Sequence, residues 1–127
     1  MKDLVPGTRI RVLCIDDEPE HLLVSKNILQ QRGYDVLTLS DCRNLMSTVY
    51  SFQPRLIFLD HNMPQMTGTV ATKMLKADPA SRHIPIVCIT SDHQTEILSR
   101  SAGADGFIRK PYDAGQLVAF AEKFTKE

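Results

Sequence analysis

No surplus charge of either sign marks this chain: its 127 residues carry 15 Lys and Arg against 15 Asp and Glu, a formal net charge of zero. A nucleic-acid or anionic-membrane partner favours a basic face, so the balance argues against direct contact with either. Long apolar stretches are missing as well. The uninterrupted ones run to a few residues, far short of the roughly 20 that span a bilayer. The N-terminal MKDLVPGTRI has no apolar core of signal-peptide length. A soluble, cytoplasmic protein with no membrane segment is the expectation. Cysteine is scarce. Cys14, Cys42 and Cys88 make an odd number, and their spacing fits no zinc motif. Cys14 and Cys88 sit within apolar runs and read as small buried residues in a reducing compartment. There is no repeat, low-complexity tract or linker, and the glycine-rich loop of a dinucleotide-binding module is absent. The length suits one domain spanning 1–127 with a core over about 9–125, the first ten residues and the last few being loose.

What the chain does contain is an alternation, repeated five times, of apolar runs and helix-like segments. The runs are Arg11 to Ile15, Val36 to Leu39, Leu56 to Leu59, Ile86 to Ile89 and Phe107-Ile108. LIFL and IVCI are apolar throughout, as in strands covered on both faces of a parallel sheet. Glu18-Pro19 opens a first helix that Gly33 closes, with Leu22, Leu29, Val24 and Ile28 on a broad face. A second helix is expected over about Asp41 to Tyr50. Thr67 caps a third, in which Val70, Met74 and Ala77 follow helical spacing and which Asp78-Pro79 ends. A fourth, near His93 to Ala102, has few apolar residues and is expected to be the most exposed. Asp113, with Gln116 three residues on, caps a fifth, whose Leu117, Phe120, Ala121 and Phe124 share a face. Such an alternation predicts right-handed crossovers and a doubly wound α/β fold, without fixing the strand order.

Open α/β sheets bind ligands beyond the carboxyl ends of their strands. Here the first run ends in Asp16 and Asp17, the third in Asp60, the fourth in Thr90 and Ser91, and the fifth is followed by Lys110. Parallel strands bring all these ends to one edge. An acid at a strand end is often only a turn residue or helix cap, but three carboxylates, a hydroxyl and an ammonium together are harder to explain that way. Two carboxylates about 4 Å apart repel by roughly 4 kcal/mol at an effective dielectric near 20. Three therefore need protons or a cation. An all-oxygen set suits a hard ion, and since the acids do not form the spaced calcium loop, Mg2+ fits better than Ca2+. A carboxylate there can act as nucleophile toward phosphorus, with positioning and charge neutralisation supplied by its neighbours.

The blocks IDDEP at 15–19, LIFLDHNMPQMTG at 56–68, ITS at 89–91 and AGADGFIRKP at 102–111 resemble the receiver domain of two-component response regulators, over about residues 9 to 125. The resemblance implies a flavodoxin-like five-stranded parallel sheet of order 2-1-3-4-5 with five helices. It implies Asp60 as phosphoacceptor and Mg2+ held by Asp16, Asp17, Asp60 and the backbone carbonyl of Asn62. It implies Thr90 and Phe107 as switch residues, Lys110 as the partner of the acceptor and then of the phosphoryl group, and a cis Lys110-Pro111 bond, inexpensive at an X-Pro step. Asn62 and Asp92 flank the water approach and would tune dephosphorylation. Two positions depart from the pattern: His61 stands where an aliphatic residue is usual, and Phe107 lacks the hydroxyl of the tyrosine often found there. His21, His83 and His93 read as surface residues.

The function implied is that of a phosphorelay switch and not an enzyme with turnover. The phosphoryl donor would be a sensor histidine kinase or a histidine phosphotransfer protein. A downstream protein would read the face formed by the fourth helix, fifth strand and fifth helix, and homodimerisation on phosphorylation is left open. A phosphohydrolase with an aspartate nucleophile usually carries a second acid two residues after it, where this chain has Asn62. A degenerate receiver that binds partners unphosphorylated would lack reactive positions, and none is lacking here.

Overall fold

The computed structural model describes residues 9–63, 66–110 and 112–126. Five strands and five helices alternate: β1 (Arg11–Ile15), α1 (Pro19–Gln31), β2 (Asp35–Leu39), α2 (Leu45–Phe52), β3 (Leu56–Asp60), α3 (Gly68–Ala77), β4 (Ile86–Thr90), α4 (His93–Ala102), β5 (Gly106–Arg109) and α5 (Ala114–Thr125). All pairings are parallel and the order is β2-β1-β3-β4-β5, the doubly wound arrangement expected. The expectations for the first eight residues, for Glu127 and for the Lys110-Pro111 bond lie outside the described residues.

Side chains alternate across each strand and build two half-cores. Val12, Cys14, Leu56, Phe58, Val87, Ile89 and Ile108 meet Leu22 and Leu29 of α1 and Leu117 and Ala121 of α5. On the other face Leu13, Ile15, Ile57, Leu59, Ile86 and Cys88 meet α2 and α3 through Leu45, Val49, Ala71 and Leu75. β3 and β4 are buried along their whole length, which explains their unbroken apolar sequence. Burying each such Leu or Ile contributes about 1.5–3 kcal/mol.

Most helix signals hold, and the departures have local causes. Pro19 stands in the first turn of α1, and Asp113 with Gln116 forms a full capping box on α5. Thr67 accepts the Val70 N–H. α2 starts later than expected because Asp41 accepts from the Arg43 backbone N–H and guanidinium, which holds a turn where the helix was expected to begin. On α3 the buried face is Gly68, Ala71, Thr72 and Leu75, while Val70 and Met74 are exposed. Small residues let α3 lie close to the sheet and to α4, so packing overrides apolarity. On α1, Ser25 faces inward and Val24 outward. α4 buries only Thr95, Ser99 and Ala102 and leaves Ile97 and Leu98 exposed, consistent with its thin apolar pattern.

Two close fits fix the helices. A Cβ at Gly106 would stand 2.7 Å from the Phe120 ring, so α5 packs hard against β5. Opposite the strands' carboxyl ends, the Lys76 ammonium donates to the carbonyls of Arg82 and Ile84 and to Asp105 Oδ2 at 3.2, 2.9 and 2.9 Å. That same Asp105 oxygen accepts the Ile86 N–H. One amine thus joins the α3–β4 and α4–β5 connections.

Candidate functional site

Register sets the site. Ile15 pairs with Leu59, so the next residues of each chain segment, Asp16 and Asp60, leave the sheet side by side. Asp60 in turn pairs with Ile89, and Thr90 with Arg109, which bring Thr90 and Lys110 to the same rim. Asp60 is fully buried and Asp16 nearly so, with Asp17 exposed above them. Carboxylate oxygens of Asp16, Asp17 and Asp60 lie within 4.8 Å of one another. Lys110 Nζ donates to Asp60 Oδ2 at 3.0 Å, and the Lys110 backbone N–H donates to the Thr90 carbonyl. Asp60 Oδ1 accepts the Asn62 N–H at 3.2 Å, and Asp16 Oδ1 accepts the Glu18 N–H at 2.9 Å.

The electrostatics of this rim are unbalanced. Burial, with the neighbouring Asp60 charge, pushes the Asp16 carboxyl up to about 6, although the Glu18 N–H pulls the other way. Burial alone would lower the Lys110 pKa. The hydrogen bond to Asp60 and the charges of Asp60, Asp16 and Glu18 outweigh it, and the net shift is upward. One ammonium faces three carboxylates, two of them buried. A hard divalent cation meets the need of this all-oxygen set, so the residues present fit Mg2+.

The remaining expected residues take up distinct positions. Thr90 is buried, and its hydroxyl accepts the Asp92 N–H at 3.1 Å. The Asp92 carboxylate caps α4, accepting from the Gln94 N–H and the Thr95 hydroxyl, so both its oxygens are engaged. Phe107 is partly buried against the α3 side of the core, with the Arg100 guanidinium 4.4 Å above its ring. Glu96 bridges Arg109 and Arg100, tying α4 to β5. His61 donates its backbone N–H to the Ile89 carbonyl and accepts from Gly68, and its Nδ1 is shielded from solvent with no hydrogen-bond partner among the described residues.

Two contributors escaped the sequence reading. Gly68 ends a quoted motif, yet its role emerges only in three dimensions: a Cβ there would stand 2.9 Å from His61 Cα and 3.1 Å from the Asp60 carbonyl oxygen. His21, expected on the open surface, is half-exposed, with Nδ1 3.3 Å from Asp16 Oδ2. Its position three residues after Glu18 is the signal that could have found it, since i and i+3 share a helix face.

Comparison with known proteins identifies the family and the fold. The profile of the response regulator receiver domain matches residues 12–122. The chain is 31% identical over 113 residues to the DNA-binding response regulator MtrA of Mycolicibacterium smegmatis, covering 87% of this chain and 48% of that one. It is 32% identical over 118 residues to the response regulator PleD of Caulobacter vibrioides, covering 91% and 26%. The chain thus spans about half or less of the length of these relatives. Among solved structures, the chemotaxis protein CheY4 of Vibrio cholerae superposes with a TM-score of 0.85 at 25% identity, over 92% of this chain and 99% of that one. The signal receiver domain of a histidine kinase from Syntrophus aciditrophicus gives 0.83 at 30% identity, over 90% and 88%.

Proposed function

The chain belongs to the response regulator receiver domain family of two-component signalling, and from that premise we propose that Asp60 takes a phosphoryl group from a phosphohistidine and holds it as an aspartyl phosphate. The observation that carries this reading is the fully buried Asp60 carboxylate, bonded to Lys110 at 3.0 Å and crowded by Asp16 and Asp17. Receiver domains are phosphoacceptor switches and not classical enzymes, and they interact with histidine kinases and downstream effectors. Self-phosphorylation and self-dephosphorylation by this chain, its cytoplasmic location and its action as one unit over about residues 9–125 are parts of the proposal. Among the described residues no helix is long and apolar enough to cross a membrane.

An Asp60 carboxylate oxygen attacks phosphorus, an O–P bond forms and the P–N bond of the donor breaks. The electron pair leaves with the imidazole, which takes up a proton. Asp16, Asp17, Asp60 and the Asn62 carbonyl would hold Mg2+, which when bound neutralises phosphoryl oxygens. Lys110 keeps its charge against Asp60 before transfer and against the phosphoryl group after it. The Thr90 hydroxyl, now accepting from Asp92 N–H, turns to donate to a phosphoryl oxygen. Phe107 follows into the space this leaves, which loosens Arg100 from its ring and changes the α4–β5–α5 face that a partner reads. Phosphorylation can shift this equilibrium only by as much as it favours one arrangement. Asn62 remains a candidate for orienting the hydrolytic water. Asp92 can join it only by releasing its cap on α4.

The test is intact mass after treatment with acetyl phosphate and Mg2+. The wild-type chain gains one phosphoryl group, and Asp60→Asn gains none. Equal labelling of the variant assigns the acceptor elsewhere and ends the reading.

A further inference from the structure

We propose that Asp16, Glu18 and His21 form a second divalent-cation site, one that takes a borderline transition ion such as Zn2+ and shares Asp16 with the acidic triad.

The first support is spacing. His21 Nδ1 lies 3.3 Å from Asp16 Oδ2 and 3.5 Å from Glu18 Oε1, and the three ligand atoms all lie within 4.8 Å of one another. Tetrahedral coordination with bonds of about 2.0–2.1 Å places its ligand atoms about 3.3–3.4 Å apart. The nitrogen-to-oxygen separations here match those edges.

The second support is an unmet need. Nδ1 of His21 is shielded from solvent and, among the described residues, faces two carboxylate oxygens, Asp16 Oδ2 at 3.3 Å and Glu18 Oε1 at 3.5 Å. Two carboxylates held this close to an imidazole nitrogen call for a positive charge among them, supplied by a proton on Nδ1 or by a metal ion. A metal ion accepts all three lone pairs at once.

The third is preorganisation. The Glu18 N–H holds Asp16 by Oδ1, which leaves Oδ2 for the histidine side. Glu18 precedes Pro19 at the start of α1, and His21 lies three residues on, so one turn of chain sets the whole group. Glu18 and His21 are roughly half exposed, which leaves the ion a path in and room for a water as fourth ligand.

Donor chemistry separates this site from its neighbour. Asp16, Asp17 and Asp60 offer only oxygen and suit Mg2+. An imidazole nitrogen with two carboxylates favours ions late in the first transition row over Mg2+. Because Asp16 serves both sets, filling the second takes a ligand from the first, and the two ions oppose each other. The zinc site does not depend on the phosphoacceptor reading, since Asp60 is not among its ligands. Only its effect on labelling rests on that reading.

Titration calorimetry of the full chain with ZnCl2, without Mg2+, tests the proposal. The wild type is expected to bind one equivalent. His21→Ala and Glu18→Gln each weaken it at least about tenfold, since even residues that merely orient metal ligands are worth that much. Asp60→Asn stays within about twofold on zinc. His21→Ala keeps its Mg2+ affinity, which shows that its fold and triad are intact. In nitrogen NMR the Nδ1 resonance of His21 shifts on adding zinc, more than Nε2. Zinc should also slow acetyl phosphate labelling of the wild type and spare His21→Ala. Absence of zinc binding, or equal binding by His21→Ala, overturns the site. So does loss in Asp60→Asn with none in His21→Ala, which would put zinc in the acidic triad. If no variant is labelled at all, the phosphoacceptor reading fails while the titration still decides the zinc site.

Discussion

Cys14 sits one strand position below the rim with almost no exposure, and its surroundings decide its chemistry. Burial, and then the neighbouring Asp16 charge, push its thiol from an ordinary 9.0 up to about 12. Below about pH 9 the thiol is protonated whether the chain is folded or not. Between 9 and 12 the unfolded chain sheds the proton first, so stability falls as pH rises through that window. At pH 10 the loss from this residue is on the order of 1 kcal/mol. Urea unfolding of the wild type and Cys14→Ala should show a steeper alkaline decline in the wild type, whatever the offset from the lost sulfur. Parallel profiles would contradict the shift. The reactive residues were more legible than this one, for a topological reason. Parallel strands send every carboxyl end to one edge, so Asp16, Asp17, Asp60, Thr90 and Lys110 could be gathered by their positions after apolar runs. Spacing could link His21 to Glu18 but not to Asp16, because a histidine on a helix's first turn looks like surface until the neighbouring strand end is in place. Nor could the capping role of the Asp92 carboxylate be weighed against a role toward water.

At the scale of elements, α3 shows how contact overrides pattern. Its rotation is set by Gly68, which brings the helix start onto the turn after Asp60. Both atoms that a Gly68 Cβ would strike belong to backbone, 2.9 and 3.1 Å away, so no side chain can swing aside. Gly68→Ala should cost about 1–3 kcal/mol in stability. It should also slow acetyl phosphate labelling about tenfold or more, since small misplacements of reacting groups weigh heavily. A variant that labels at the wild-type rate would show that the turn tolerates the shift. Val70 and Met74 follow helical spacing yet lie exposed, while Ala71 and Leu75 carry the buried contacts of α3. The α2 start was misjudged for a different reason: the Asp41–Arg43 turn competes locally with helix, and hydrophobic spacing does not record that.

For the molecule as a whole, alternation dictated a parallel sheet with helices on both faces. The order of strands came from family resemblance alone, since periodicity does not distinguish one doubly wound order from another. The crowded rim makes the fold sensitive to divalent ions, because a ligand of the native state alone stabilises it. At a tenfold excess over its dissociation constant, Mg2+ should add about 1.4 kcal/mol and raise the melting temperature by several degrees. Asp17→Asn should abolish most of that gain. Melting curves that coincide with Mg2+ and with chelator would mean the triad holds no ion.

The amine of Lys76 couples the opposite end of the molecule. Because it bonds to carbonyls on one connection and a carboxylate on the other, neither stretch can lift away without releasing its neighbour. A protease working slowly on the native protein should therefore cut around 78–85 and around 103–105 with a common onset. Replacing the amine, as in Lys76→Met, should advance both cuts together.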